Sequence, residues 1–140
     1  MKTTAILWPL VAQVGLTLIV AIRMYMVRVA EMRARRVNPQ LLATTREAAK
    51  QLENVAAADN FRNLFELPVL FFAICPILYM TGLVTDLQIV LAWLFVGLRC
   101  AHSYIHVTYN RVMHRFRVYL LGMVCVFAMW SIFAVQLSQQ

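Results

Sequence analysis

The sequence has little charge, few glycines and few cysteines. Only 14% of its 140 residues are charged, which is too few to give a domain of this size the usual soluble surface. The 4 glycines form no P-loop and no dinucleotide fingerprint, so they give no support for nucleotide binding. They also form no GxxxG pair, the motif of closely packed membrane helices. The 3 cysteines stand singly in apolar surroundings, so no disulfide framework is indicated.

Apolar residues dominate the chain instead, making up 62% of it with a mean hydropathy of +0.70. A helix needs about 20 apolar residues to cross a bilayer, and four runs are that long. The predicted spans are about 5–27, 59–80, 87–107 and 116–135, with a basic connection at 28–58. The first run is long for a signal peptide and is expected to remain as a span. The predicted fold class is therefore all-α, an integral membrane four-helix bundle.

The basic residues indicate how the chain lies in the membrane. Lys and Arg number 13 against 6 acidic residues, and most of them lie between spans 1 and 2 or between spans 3 and 4. Because basic connections stay in the cytoplasm, both termini are predicted on the opposite side. Basic residues beside apolar spans favour anionic lipid headgroups and an anionic ligand as partners, and no nucleic acid is expected.

The long connection is predicted to contain a helix that packs on the bundle. Asn38 and Pro39 are typical of a helix start, with Asn as the cap and Pro in the first turn. Thr44 and Glu47 have the spacing of a capping box, but a position inside that helix makes the match accidental.

A polar stripe interrupts the third span. Arg99, His102, His106 and Tyr109 recur at steps of three, four and three, so they share one face of a helix. An arginine near the bilayer centre costs roughly 2.5 to 3.5 kcal/mol on insertion scales, so such residues usually face other helices or a wet cavity. The stripe therefore marks a candidate site.

The predicted topology places other polar residues at the same depth. The start of span 2 carries Arg62, Asn63 and Glu66, just before a kink expected at Pro68. The start of span 4 follows the basic connection that leads to Tyr119. Because both starts lie at the cytoplasmic level, they and the stripe are predicted to form one polar pocket.

Three interpretations of the pocket remain open. In the first, Arg99 and the arginines at 111, 115 and 117 bind an anion, because guanidinium forks suit carboxylates. In the second, Glu66 and the nearby arginines only tie helices together. In the third, His102 and His106 ligate a metal ion with Glu66 as third ligand, which the neighbouring arginines disfavour.

Three motifs carry a resemblance to a known family: Asn63-Leu64-Phe65-Glu66-Leu67-Pro68, Arg99-Cys100-Ala101-His102 and Arg115-Phe116-Arg117-Val118-Tyr119. In their order and spacing, over nearly the whole chain, they resemble the membrane-associated proteins in eicosanoid and glutathione metabolism, the MAPEG family. The chain looks most like the bacterial branch, which implies the bacterial inner membrane. The resemblance also implies a homotrimer that binds glutathione as co-substrate between neighbouring subunits near the cytoplasmic face.

The same resemblance implies roles for individual residues. Arg115 and Tyr119 match the catalytic positions, with Arg115 activating the glutathione sulfur; Arg111 or Arg117 takes that role if the connection differs in length. The residues implied to bind substrate are Asn63, Glu66, Arg99, His102, Arg62 and Arg117.

Two departures from the family pattern weaken the case for any specific enzymatic activity. The lead-in at 58–62 lacks the Arg-Ala-His type found in many catalytic members, and His106 stands where some enzymes have a tyrosine. The leading hypothesis is a glutathione transferase or peroxidase that acts on a lipophilic electrophile. The alternatives are a non-catalytic membrane protein of the same fold and a metal-dependent membrane enzyme.

Overall fold

The computed structural model describes residues 2–42, 44, 47–48, 52–53 and 56–139, and these parts of the chain contain helices and no strand. In chain order the elements are α1 (Lys2–Ala5), α2 (Leu7–Arg35), a 3₁₀ turn (Pro39–Leu42), α3 (Ala56–Asn63), α4 (Leu67–Thr81), α5 (Asp86–Val107) and α6 (Val112–Leu137). Four helical stretches are long and apolar enough to cross a membrane: Thr3–Arg35, Ala56–Thr81, Asp86–Val107 and Val112–Leu137. The all-α fold with four membrane-length helices is thus confirmed.

The first long helix continues beyond the expected end of its span. α2 runs to Arg35, and Arg36 ends it in the left-handed conformation with φ 52°. Arg35 pairs with Glu31 one turn earlier at 3.3 Å and with Glu53 at 2.6 Å. The ion pair with Arg35 lowers the pKa of the Glu53 carboxyl. Glu53 of the basic connection therefore lies against the end of α2.

The described part of the connection has a short 3₁₀ turn at the predicted helix start, and most of the helix expected there lies outside the described residues. The Asn38 side chain accepts a hydrogen bond from the backbone of Gln40 at 3.0 Å, and the 3₁₀ turn starts at Pro39. Thr44 and Glu47 form reciprocal capping-box bonds of 3.1 and 3.2 Å. The capping box is thus real, because Thr44 lies at the start of a helical turn and not inside a helix.

The second span is broken where a kink was expected. α3 ends at Asn63 and α4 begins at Leu67, and Glu66 between them has φ −94° and ψ −99°. Pro68 has no backbone N–H to donate to the carbonyl of Leu64, so a continuous helix would leave that acceptor without its bond. The break sets Glu66 at the exposed start of α4.

The core lies between α4, α5 and α6. The rings of Phe71 and Phe95 stack at 4.6 Å between centroids, and both side chains are completely buried. At the end of the bundle away from the basic connections, Gln88 donates to the side chain of Gln136 at 3.2 Å. The outward faces carry large exposed apolar side chains, Met80 among them. Such faces suit lipid.

The topology brings the site elements to one end. α2 and α5 run toward this end, whereas α3 and α6 start from it. We call it the basic end, because the described parts of the connections that follow α2 and α5 lie there. The candidate site is built from α3, the last turns of α5 and the first turns of α6.

Candidate functional site

One face of α5 carries the polar stripe into the protein. Arg99, His102 and His106 are only 1%, 3% and 2% exposed, and Ser103 on the same face is also buried. Tyr109 does not continue the stripe, because α5 ends at Val107 and the helical period stops there. Its exposed hydroxyl lies 3.3 Å from Nδ1 of His114 instead.

Arg99 lies between two aromatic rings. Its guanidinium carbon is 5.0 Å from the ring centre of Tyr119 and 5.3 Å from that of Phe95. Neither Nη1 nor Nη2 has a hydrogen-bond partner among the described residues, although Glu66 is near enough for its charge to act on Arg99. A buried guanidinium with free donors costs free energy unless an acceptor arrives. Arg99 is therefore a buried cation without a hydrogen-bond acceptor among the described residues.

The two histidines are in ring contact, with centroids 6.0 Å apart. His102 also lies 6.1 Å from the ring of Tyr119. Nε2 of His106 is 2.9 Å from Nη1 of Arg115. Because arginine only donates, this nitrogen of His106 is the acceptor, and the imidazole is neutral with its proton on Nδ1.

Arg115 makes a second contact with the loop before α6. Its Nη1 donates to the side-chain oxygen of Asn110 at 2.9 Å. Asn110 has φ 44°, a left-handed conformation that asparagine tolerates better than most residues. His106 and Asn110 thus hold the same end of the Arg115 guanidinium.

A cavity of about 160 Å³ opens between α3, α5 and α6. Its lining residues are Asn63, His102, Val112, Arg115, Phe116 and Tyr119. Four predicted site residues, Asn63, His102, Arg115 and Tyr119, therefore border one space. Of the three arginines considered in the basic connection, Arg115 is the one in this lining.

The other predicted site residues lie around the cavity and not in its lining. Arg99 is buried against Tyr119, and Glu66 is exposed at the break between α3 and α4. Arg62 is exposed and pairs with Asp59 in its own helix at 3.8 Å. Arg117 is exposed on α6.

Sequence reasoning missed three polar residues near the basic end. Asn60 is fully buried on α3, with no partner for either side-chain amide atom in the described structure, and Ser103 is buried on α5. Asn110 holds Arg115. The first two could have been found from the helical period, because Asn60 is three residues before Asn63 and Ser103 is four after Arg99. Asn110 gave no such signal.

A metal site has little support in the described residues. No group of three or more His, Cys, Asp or Glu side chains there could hold an ion. His106 already uses Nε2 for Arg115, whose charge would repel a cation.

The fold and pocket together define a class. Four membrane-length apolar helices with a polar cavity at one end make this an integral, multi-pass membrane protein. Its sequence matches the model of the MAPEG family over residues 6–135, nearly the whole chain, and the protein belongs to that family. No curated protein and no solved structure matches it.

Proposed function

We propose that this protein binds glutathione in the membrane and uses its thiol against a lipophilic electrophile or hydroperoxide, as a transferase or peroxidase. The observation that carries the proposal is the joint position of Arg115 and Tyr119 on one small cavity, in a chain of the MAPEG family. Arg99, with two free nitrogen donors, lies directly against the Tyr119 ring.

The polar groups fit a ligand with carboxylates, an amine and a thiol. Arg99 and Asn63 offer donors to a carboxylate, and Glu66 offers an acceptor to an amine. Arg62 and Arg117 are exposed at the same end and supply positive charge around the site. The chain thus carries both signs of charge that a tripeptide ligand requires.

The chemistry needs the thiol to lose its proton. Glutathione supplies the sulfur nucleophile, and Arg115 and the Tyr119 hydroxyl stabilise its negative charge by donating hydrogen bonds. His102, packed against Tyr119, orients that ring. The apolar outer faces allow a lipophilic second substrate to approach from the bilayer.

The proposal includes a homotrimer, as the family resemblance implies, and the small size of the cavity supports a site shared between subunits. About 160 Å³ is small beside the roughly 300–1,000 Å³ of common ligand pockets, so one chain does not enclose a tripeptide. A neighbouring subunit would complete the site. Basic connections on the cytoplasmic side, both termini on the other side and a bacterial inner membrane are part of the same proposal.

Calorimetry and activity assays on purified protein in lipid nanodiscs test the proposal. We expect glutathione to bind, its thiolate absorbance to appear, and conjugation or peroxide reduction to depend on Arg115. Absence of glutathione binding together with absence of both activities would contradict it. Ophthalmic acid, in which a methyl group replaces the thiol, separates binding of the peptide from use of the sulfur.

A second candidate is a non-catalytic membrane protein of the same fold. It is favoured by the internal bonds of two expected site residues, because Arg115 is held by His106 and Asn110, and Arg62 by Asp59. In that case Arg115→Ala leaves the cellular role intact, whereas Glu66→Ala lowers the stability of the trimer.

A further inference from the structure

We infer that Asn110 and His106 are positioning residues that hold Arg115 at the cavity, an inference that rests on the proposed function for its chemical purpose. Both acceptors lie 2.9 Å from Nη1 of Arg115. His106 lies in the last turn of α5, and Asn110 lies in the loop that reverses the chain before α6.

We call the two bonds from Nη1 of Arg115 to His106 and Asn110 the clamp. They use only part of the hydrogen-bonding capacity of the guanidinium. Nη1 carries two N–H donors, and the two acceptors take both. Nη2 and Nε carry three more donors, which have no partner among the described residues, and Arg115 borders the cavity. The clamp therefore fixes one edge of the fork and leaves the other available, so the donors need no reorganisation when negative charge develops.

Local backbone geometry explains why the loop residue is an asparagine. The backbone N–H of Asn110 donates to the carbonyl of Ile105 at 2.8 Å, and φ is 44°. Glycine, asparagine and aspartate adopt this conformation more readily than most residues. Of these, asparagine supplies a neutral acceptor to Arg115 without cancelling its charge.

The neutral acceptor on α5 meets the same need. His106 accepts through Nε2 and so holds Arg115 without a negative charge. A carboxylate in either place would pair with the guanidinium and reduce its attraction for a thiolate. Two neutral acceptors orient the cation and preserve its charge for the ligand.

Chemical modification of arginine tests the clamp without glutathione. The full-length protein in nanodiscs is treated with phenylglyoxal, and peptide fragment masses give the modified fraction at Arg111, Arg115 and Arg117. We expect Arg115 to react more slowly than the two exposed arginines. Asn110→Gly keeps the left-handed backbone and removes the acceptor, so it should speed the reaction at Arg115 severalfold and leave Arg117 unchanged.

Matched variants separate the loss of a bond to Arg115 from a general loosening of the fold. His106→Leu should act like Asn110→Gly, whereas His106→Gln retains a neutral acceptor and should restore slow modification. His114→Leu removes an exposed histidine of the same helix turn that contacts Tyr109 and not Arg115, and should change nothing at Arg115. Thermal unfolding of each variant shows whether the fold is kept.

The same variants with glutathione added test the purpose of the clamp. Losing one charge-assisted bond is expected to lower kcat about tenfold, with a smaller change in KM. The pH at which bound glutathione forms its thiolate should rise by about one unit. If Arg115 is modified faster in Asn110→Gly but the wild type forms no thiolate, the clamp is supported and the proposed function is contradicted. Unchanged modification and an unchanged thiolate titration in both Asn110→Gly and His106→Leu overturn the clamp.

Discussion

The guanidinium carbon of Arg99 lies 5.0 Å from the centre of the Tyr119 ring, deep in a bundle of membrane-length helices. Phe95 covers the other side at 5.3 Å, and the Nη1 and Nη2 atoms have no partner among the described residues. The rings stabilise the charge by cation–π attraction but accept no strong hydrogen bond. Under the proposed function, the acceptor that the described residues do not provide is a carboxylate of glutathione.

Replacing Arg99 with methionine should therefore separate stability from binding. Methionine fills similar space without a buried charge, so thermal unfolding is expected at the wild-type temperature or above it. Glutathione affinity should fall at least about tenfold, because a charge-assisted bond is lost. Calorimetry and unfolding in the same nanodiscs measure both, and Arg99→Lys tests whether charge without the fork suffices. A clear drop in unfolding temperature would instead indicate that Arg99 ties helices together.

Tyr119 should show two separable roles. Tyr119→Phe keeps the ring over Arg99 and removes the hydroxyl, so it should lower kcat and leave stability nearly unchanged. Tyr119→Leu also removes the ring, and a buried cation–π contact is worth about 2 kcal/mol, so the unfolding free energy should drop by that order. Equal stability of the two variants would contradict the role given to the ring.

Arg115 and Arg117 form a natural comparison. Both are arginines on the first turns of α6, but Arg115 borders the cavity and Arg117 is exposed. Arg115→Ala is expected to reduce glutathione-dependent activity by about a hundredfold or more, in the range seen when a donor to developing charge is removed. Arg117→Ala should cost far less. A larger loss at Arg117 would transfer the catalytic role to that residue.

Gly122 lies beside Arg99, where a larger side chain would take up the space next to the guanidinium. A Cβ atom built there would lie 3.7 Å from the Phe95 ring and 3.9 Å from Nε of Arg99, which is ordinary contact. Gly122→Ala should be tolerated and could stabilise α6 by up to about 1 kcal/mol through helix propensity. Gly122→Leu should displace Arg99 and weaken glutathione binding. Calorimetry on both variants gives the comparison, and equal affinities would show that Arg99 does not need this space.

The pair of Arg35 and Glu53 predicts a dependence on acid. Arg35 lowers the pKa of the Glu53 carboxyl, so the contact stabilises the fold above the ordinary carboxyl pKa and loses this effect as the pH falls through the lowered value. Both side chains are exposed, so added salt should weaken the pair. The protection of backbone amides around Glu53 against hydrogen exchange, corrected for the intrinsic pH dependence of exchange, should therefore fall at low pH in the wild type and change little in Glu53→Gln. The same acid response in both proteins would contradict this assignment.

The sequence was sufficient for the features that depend on local pattern. Run length and hydropathy predicted four membrane-length helices, and the period of α5 put Arg99, His102 and His106 on one buried face. Pro68 indicated a disturbance beside Glu66, although a break formed where a kink was expected. The helical period alone also places Tyr109 on the stripe, which is wrong, because the end of a helix is harder to predict from sequence than its period.

Only the tertiary structure decided which groups meet. The three arginines of the basic connection look alike in sequence, and the chain reversal at Asn110 is what turns Arg115 toward His106 and the cavity. The rings on either side of Arg99 likewise come from two different helices. Hydropathy and helical period are summed over neighbouring residues and can be read along the chain, whereas a hydrogen bond depends on atoms placed within 3 Å by separate elements, which no local pattern records.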